Sequence, residues 1–425
     1  MKRLLLVIVV GLALAFIGAS AQSATYYVAT SGLDSNPGTQ ALPWATLQKA
    51  VDTIAAGDTI IVKPGVYVGC RIRSSGTSGA PKTLMSESLH AAAITSPGPL
   101  NRKSCNLELD ANNYTDPNSY WVVDGFEIKN APVAGVKALL APYLTFRNNW
   151  CHNNGTGGNG HDGFYGIAPY GLFENNEFNN NAEHGSYVGQ GSMDYYVERN
   201  NISYSNAQMG FHHNGDSGAP FDDGSGMMDY MLCERNKSWS NVGSHGMDLD
   251  GVRYSTVRNN LIYGNGNCGI MSNGMGGKEN SHHNRILNNT VRSVSNWAFL
   301  IYTNTGGTYN NLFNNILYCN GTNGSIGITT KSQTGFQSNY NVVEDKFQLG
   351  GKSKTLAQWR AYGYDLNSII ATPAQLFVNE AAGDYHLRST SPAINAGTTL
   401  TDVTNDLEGY PRTAGSYDIG CYEYH

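Results

Sequence analysis

Charge is scarce in this chain. Only 14% of its 425 residues are Asp, Glu, Lys or Arg, and 27 basic residues against 33 acidic ones leave a net charge of −6. A chain so poor in Lys and Arg lacks the positive surface that a phosphate backbone requires, which excludes nucleic acid as a partner. Helix-length apolar periodicity is also missing. Short alternating runs of Val, Ile, Phe and Tyr are broken every few residues by glycine or asparagine, a pattern of strands and turns. No Cys-x-x-Cys or Cys/His spacing points to zinc. Beyond the N-terminal segment no apolar run is long enough to cross a bilayer.

What the chain has in abundance is glycine, 50 residues of it, and much of that glycine is periodic. Anchors recur at Gly135, Gly163, Gly185, Gly210, Gly246, Gly269, Ala298 and Gly327, with gaps of 28, 22, 25, 36, 23, 29 and 29 residues. A self-similar period of roughly 20–30 residues is the mark of a solenoid whose repeats bury their apolar faces against one another. With three short strands per turn the chain should wind as an all-β, right-handed parallel β-helix, its turns stacked about 4.8 Å apart. Ahead of each anchor lies an asparagine-rich element (FRNNW, FENNE, ERNNI, ERNKS, VRNNL, LNNTV, FNNIL). Asn148, Asn175, Asn200, Asn236, Asn259, Asn288 and Asn314 are read as one structural row, because Asn tolerates a left-handed turn and stacked amides hydrogen-bond along a ladder.

The ends differ from the middle. Residues 1–21 combine Met1-Lys2-Arg3, an apolar stretch and an Ala-x-Ala site ending at Ala21, which reads as a signal peptide and predicts a secreted, periplasmic or cell-surface protein. Residues 22–65 form a cap, with TLQKAVDTI as a short helix over the open first turn. The β-helix proper spans 66–335 and a C-terminal cap 336–425, in which KTLAQWRAYGYD predicts a short helix on the outside. The seven cysteines are an odd number for an exported protein. Cys70 and Cys105 could pair across early turns, whereas Cys151, Cys233, Cys268 and Cys319 read as stacked, buried thiols.

If the residue after each anchor points inward (Val136, Phe164, Phe211, Met247, Ile270, Phe299 and Ile328, with Ser186 the exception), then the −1, +2 and +4 positions point outward. The −1 row then holds Asp162, His184 and His245; the +2 row Tyr165, Tyr187, His212 and Asp248; the +4 row Asn214, Asp250, Asn273 and Tyr302. One sheet face thereby gathers Asp, His, Tyr and Asn over consecutive turns. The longest gap adds a loop, GDSGAPFDDGSGMMD, with Asp216, Asp222 and Asp223, which should wall one side of that face.

The opening ATYYVATSGLDSNPGT and the ending SPAINAG…DLEGYPR…DIGCYEY resemble those of secreted bacterial β-helix proteins of the pectate-lyase-like superfamily. Cys421 stands where that pattern usually has a small residue. The resemblance implies a carbohydrate-active protein, since characterised members are mostly polysaccharide lyases, with some glycoside hydrolases and uronan epimerases, acting in a groove along such a sheet. As a lyase on a uronate-containing polysaccharide, the chain would draw its acid and base from His212, His245, His184, Tyr187, Asp248 and Asp250, and contact substrate through Tyr165, Asn214, Asn273 and Tyr302. Many such enzymes use calcium, for which Asp162, Asp216, Asp248 and Asp250 offer ligands. The Asp-Asp-Gly strand motif and the central lysine of the calcium-dependent pectate lyases are absent. A second reading is a hydrolase using Asp248 and Asp250, whose i, i+2 placement puts the carboxylates about 6.5–7 Å apart. The third is a non-catalytic glycan-binding surface protein. A monomer is expected.

Overall fold

The computed structural model describes residues 23–102, 104–110, 117–155, 161–191, 193–218, 223–302 and 306–425. The segment read as a signal peptide and Asp222 lie outside these residues. Three twelve-stranded sheets run side by side, each turn contributing a strand to the first, second and third in order, as Thr145–Arg147, Trp150–His152 and Phe164–Gly166 do. All neighbours are parallel except the last hairpin of the third sheet, Phe347–Leu349 with Lys352–Lys354. The chain is a parallel β-helix, and the glycine register read from the sequence is the register of the third sheet. Gly163, Gly185, Gly210 and Gly246 sit one residue before their strands, where an added Cβ would come within 3 Å of the next turn. Strand alternation follows: Phe164, Phe211, Met247 and Ile270 are fully buried inward.

The asparagine pairs divide two tasks. First members such as Asn148, Asn175, Asn200, Asn259, Asn288 and Asn314 take φ between 52° and 58°, where Asn is among the few tolerant residues. Second members build a buried ladder from Asn149 through Asn176, Asn201 and Asn236 to Asn341, each Nδ2 donating to the next Oδ1 at 2.9–3.3 Å. Asn236 therefore belongs to the ladder; Arg235 takes the left-handed position in that turn, at φ 55°. A second ladder runs from Asn154 to Asn265 at the following corner.

A further row went unread in the sequence. Tyr120, Tyr143, Tyr170, Tyr195, Tyr230 and Tyr254 all adopt φ of 53–58° just before the first-sheet strands, and their rings stack at 4.6–5.7 Å up the solenoid. Stacking of that kind offsets the roughly 1–2 kcal/mol that a left-handed residue costs.

At the N-terminal end, Leu47–Thr53 is a helix capped by Thr46, with Leu47, Ala50 and Val51 buried over the first turn. The C-terminal end differs from expectation. Strands continue to Ile369–Ile370, and helix Leu356–Arg360 closes the coil rather than lying outside it, because Trp359 is fully buried against Phe336, Phe347 and Tyr364. The chain after about residue 377 instead turns back along the flank. There Asp402 meets Arg285, Arg412 meets Asn259, and Asn314 meets Thr398. All seven cysteines are free and buried, so Cys70 and Cys105 are not joined. No helix among the described residues is long and apolar enough to cross a membrane.

Candidate functional site

Adjacent strands of the third sheet stack their outward residues in register: Tyr165 on Tyr187, Tyr187 on His212, and His212 on Asp248. The Tyr187 and His212 rings lie flat on each other at 4.4 Å, and Tyr165 tilts against Tyr187 at 5.1 Å. Lys137 places its ammonium 4.2 Å from the Tyr165 ring centre, so the strip begins with a cation. His212 Nε2 lies 3.8 Å from Asp248 Oδ2, while its Nδ1 is buried without a partner. Asn214 donates to the Tyr187 hydroxyl at 2.5 Å, and Asn273 to Asp248 Oδ1 at 2.6 Å.

The −1 residues behave differently from an outward row. They precede the strand and lie in the corner, where Asp162 and Cys268 are fully buried and His184 and His245 nearly so. The main-chain N–H of Met209 donates to His184 Nδ1, and that of Cys268 to His245 Nδ1. Each ring therefore carries its proton on Nε2 when neutral. His184 still reaches the strip, its ring 4.8 Å from that of His212. Asp162 Oδ1 accepts from the His184 N–H, and its Oδ2 has no partner.

Electrostatics follow from burial. The imidazoles of His184 and His245 are held down at about 4 by loss of water. His212 falls well below its ordinary value through burial first, then repulsion from His184, His213 and His245. Burial, reinforced by Asp250, pushes Asp248 well above the carboxylate range, and burial raises Tyr187. Burial in the strip thus opposes charge on the imidazoles and on the carboxyl group alike.

A stability measurement can isolate one of these groups. His245 ionises near 6.5 when unfolded and about 4 when folded, so the unfolded chain binds the extra proton between those values. Stability from this group is therefore lost as pH falls. The advantage of the wild type over His245→Gln should shrink by up to about 1.4 kcal/mol per pH unit on acidifying from 6.5 towards 4. A difference that stays flat across that window in denaturant titrations would contradict the burial of this ring.

Walls flank the strip. Lys278 donates from its main-chain N–H to Gly226 O at 3.2 Å and from Nζ to Gly224 O at 2.9 Å, tying the long insertion to the 274–280 loop. Asp250 is consumed by that loop: Gly276 N–H lies 2.9 Å from both of its carboxylate oxygens, and Gly277 adds a third contact at 3.4 Å. Asp216 turns onto its own loop, accepting from Gly218 N–H. Tyr302 is 56% exposed and stands apart, in a cleft of about 560 Å³ shared with Leu300, Ile328 and Lys331.

The expected calcium ligands do not form a cage. Among the described residues, no three of Asp162, Asp216, Asp248 and Asp250 bring ligand atoms within 4.8 Å of one another, whereas calcium takes 6–8 oxygens. Among the described residues, the one such convergence of His, Cys, Asp and Glu lies elsewhere, at Glu198, His213 and Cys233 inside the coil.

No family model matches the chain, and no curated protein matches it. Among solved structures, pectate lyase Pel9A aligns over 95% of this chain and 97% of its own, with a TM-score of 0.67 at 17% identity. The fold is that of the pectate-lyase-like β-helices. XylC, solved in complex with xylose, aligns over 94% of this chain and 98% of its own, with a TM-score of 0.59 at 11% identity. At these identities the likeness is one of architecture.

Proposed function

We propose that the protein is a secreted polysaccharide lyase that cleaves a uronate-containing glycan by β-elimination on the Tyr165–Tyr187–His212–Asp248 strip. The observation carrying this reading is the stacked Tyr187–His212 pair beside Asp248, three groups that can each hold or accept a proton. In the protonated form, Asp248 with Asn273 can hydrogen-bond a uronate carboxylate instead of repelling it. His212 takes the C5 proton, the C4–O bond breaks as the C4=C5 double bond forms, and the Tyr187 hydroxyl protonates the departing oxygen. His212 is a weak base in the free protein, since burial opposes its charge. A bound uronate supplies the negative charge that favours the imidazolium.

The β-helix architecture shared with pectate lyase Pel9A supports the assignment to carbohydrate chemistry. Residues retain a lesser claim as a hydrolase, because Asp250 is held by loop amides and is poorly placed to activate water. Incubation with pectate, alginate and glycosaminoglycans, with and without calcium and chelator, should raise the ultraviolet absorbance of an unsaturated uronate on one of them. New reducing ends without that absorbance would move the assignment to the hydrolase; neither signal would leave a binding protein. Loss of the signal on chelation would show that calcium joins the substrate at the strip.

A further inference from the structure

The interior of a β-helix is filled by stacked apolar residues, and one level of this core breaks the rule. In the first sheet the inward column reads Phe146, Phe173, Glu198, Cys233, Val257 and Ile286. In the third sheet Val188, His213 and Leu249 follow one another. Glu198, His213 and Cys233 are each fully buried. Their ligand atoms lie within 4.8 Å of one another: His213 Nε2 is 2.9 Å from Glu198 Oε2, and Cys233 Sγ is 3.5 Å from the same oxygen.

Each group is also oriented from behind. The second nitrogen of His213, Nδ1, meets the Asp248 carbonyl at 3.1 Å, an acceptor suited to an Nδ1 proton, the tautomer in which Nε2 can ligate a metal. The Tyr196 hydroxyl donates to the far oxygen of Glu198 at 3.2 Å, and Asn236 Nδ2 donates to Cys233 Sγ at 3.2 Å. Met247 adds a thioether 3.9 Å from that sulfur. Outer hydrogen bonds that fix the tautomer and direction of convergent donors are what metal sites use to hold their ligands. Beside them the Ser186 hydroxyl is buried near the Tyr196 phenol.

We propose that Glu198, His213 and Cys233 form an interior site for a thiophilic divalent cation of the zinc class. Charge balance favours it, because a carboxylate, a thiolate and a divalent cation sum to zero inside an apolar enclosure, where net charge is costly. The thiolate and imidazole exclude calcium and magnesium, which take oxygen ligands. Sequence spacing could not announce the site, since its ligands come from three strands brought together only by coiling. The cation would enter during folding, as the site has no exposed ligand.

The test is to unfold the full chain under reducing conditions with a chelator, remove the chelator, and refold with Zn²⁺, with Co²⁺ or with neither. Expected results are one equivalent of Zn²⁺ retained through desalting, a higher thermal midpoint than the metal-free protein, and a thiolate-to-cobalt absorption band in the Co²⁺ form. That band should vanish in Cys233→Ser and persist in Cys268→Ser, whose thiol is buried elsewhere. Substoichiometric metal in the wild type overturns the site, whatever the variants do. A cobalt band that survives in Cys233→Ser overturns it too, and a wild type equally stable with and without metal shows that the Glu198–His213 pair stands unaided.

Discussion

Replacing His212 by glutamine is expected to lower turnover on the responsive uronate polysaccharide by about 10²–10⁴-fold, the range for removing a general base. KM should change little, because the ring contributes through the proton it takes and glutamine preserves most of the volume. Tyr187→Phe should cost a comparable factor by removing the proton donor while keeping the stacked ring. Turnover must be read beside a denaturant unfolding curve. Two variants that fold normally and retain full elimination would show that the chemistry lies off this strip.

Asn201→Ala should be among the most destabilising single changes in the coil, at about 2–6 kcal/mol. Its side chain donates to Phe173 O and Asn236 Oδ1 and accepts from both the main-chain N–H and Nδ2 of Asn176. Truncation leaves two donors of Asn176 buried and unsatisfied, each costing about 1–3 kcal/mol. Its neighbour Asn200 is a control with the opposite origin. At φ 57° it makes a left-handed turn, so Asn200→Ala should cost only about 1–2 kcal/mol and Asn200→Gly almost nothing. Equal losses for the two alanine variants in urea titrations would mean that the pair does not divide its tasks.

Much of this architecture could be read from residue order, and the misreadings have physical causes. Period and anchors were legible because a Cβ at Gly185 or Gly210 collides with the next turn, leaving selection little choice. The asparagine row was read one residue out at Asn236, since Arg235 can occupy the left-handed position where Asn is merely favoured. The tyrosine column recurs five residues before the first asparagine of each pair, at Tyr143, Tyr170 and Tyr195, yet aromatic residues are so common in strands that the spacing carries no local signal. The +2 residues face outward as expected because strand alternation is strict, whereas the −1 residues do not, because they precede the strand. His213 occupies the +3 position, an inward slot, and a search for chemistry among outward rows passes over it. Ser186, the polar exception of the inward row, was the visible trace of that interior cluster. The backward course of the tail had no trace at all, because its polar partners lie 84–153 residues away.

That tail alters how the solenoid holds together. In a bare stack each turn touches only its neighbours, so the coil can fray or open locally like a zipper. Here Asp402 engages Arg258 and Arg285, Arg412 reaches Asn259, and Thr290 accepts from the Cys421 N–H, while Leu376, Phe377 and Tyr385 pack with Leu261, Ile316 and Val342. One segment thus staples several turns at once, and none of them can part without releasing it. The staple is made last: its polar ties close loops of 84–153 residues, so its loop entropy is overcome only after the turns it grips have formed. Until that segment docks the flank of the coil stays uncovered, and the docked protein exchanges stepwise fraying for a single, all-or-none opening.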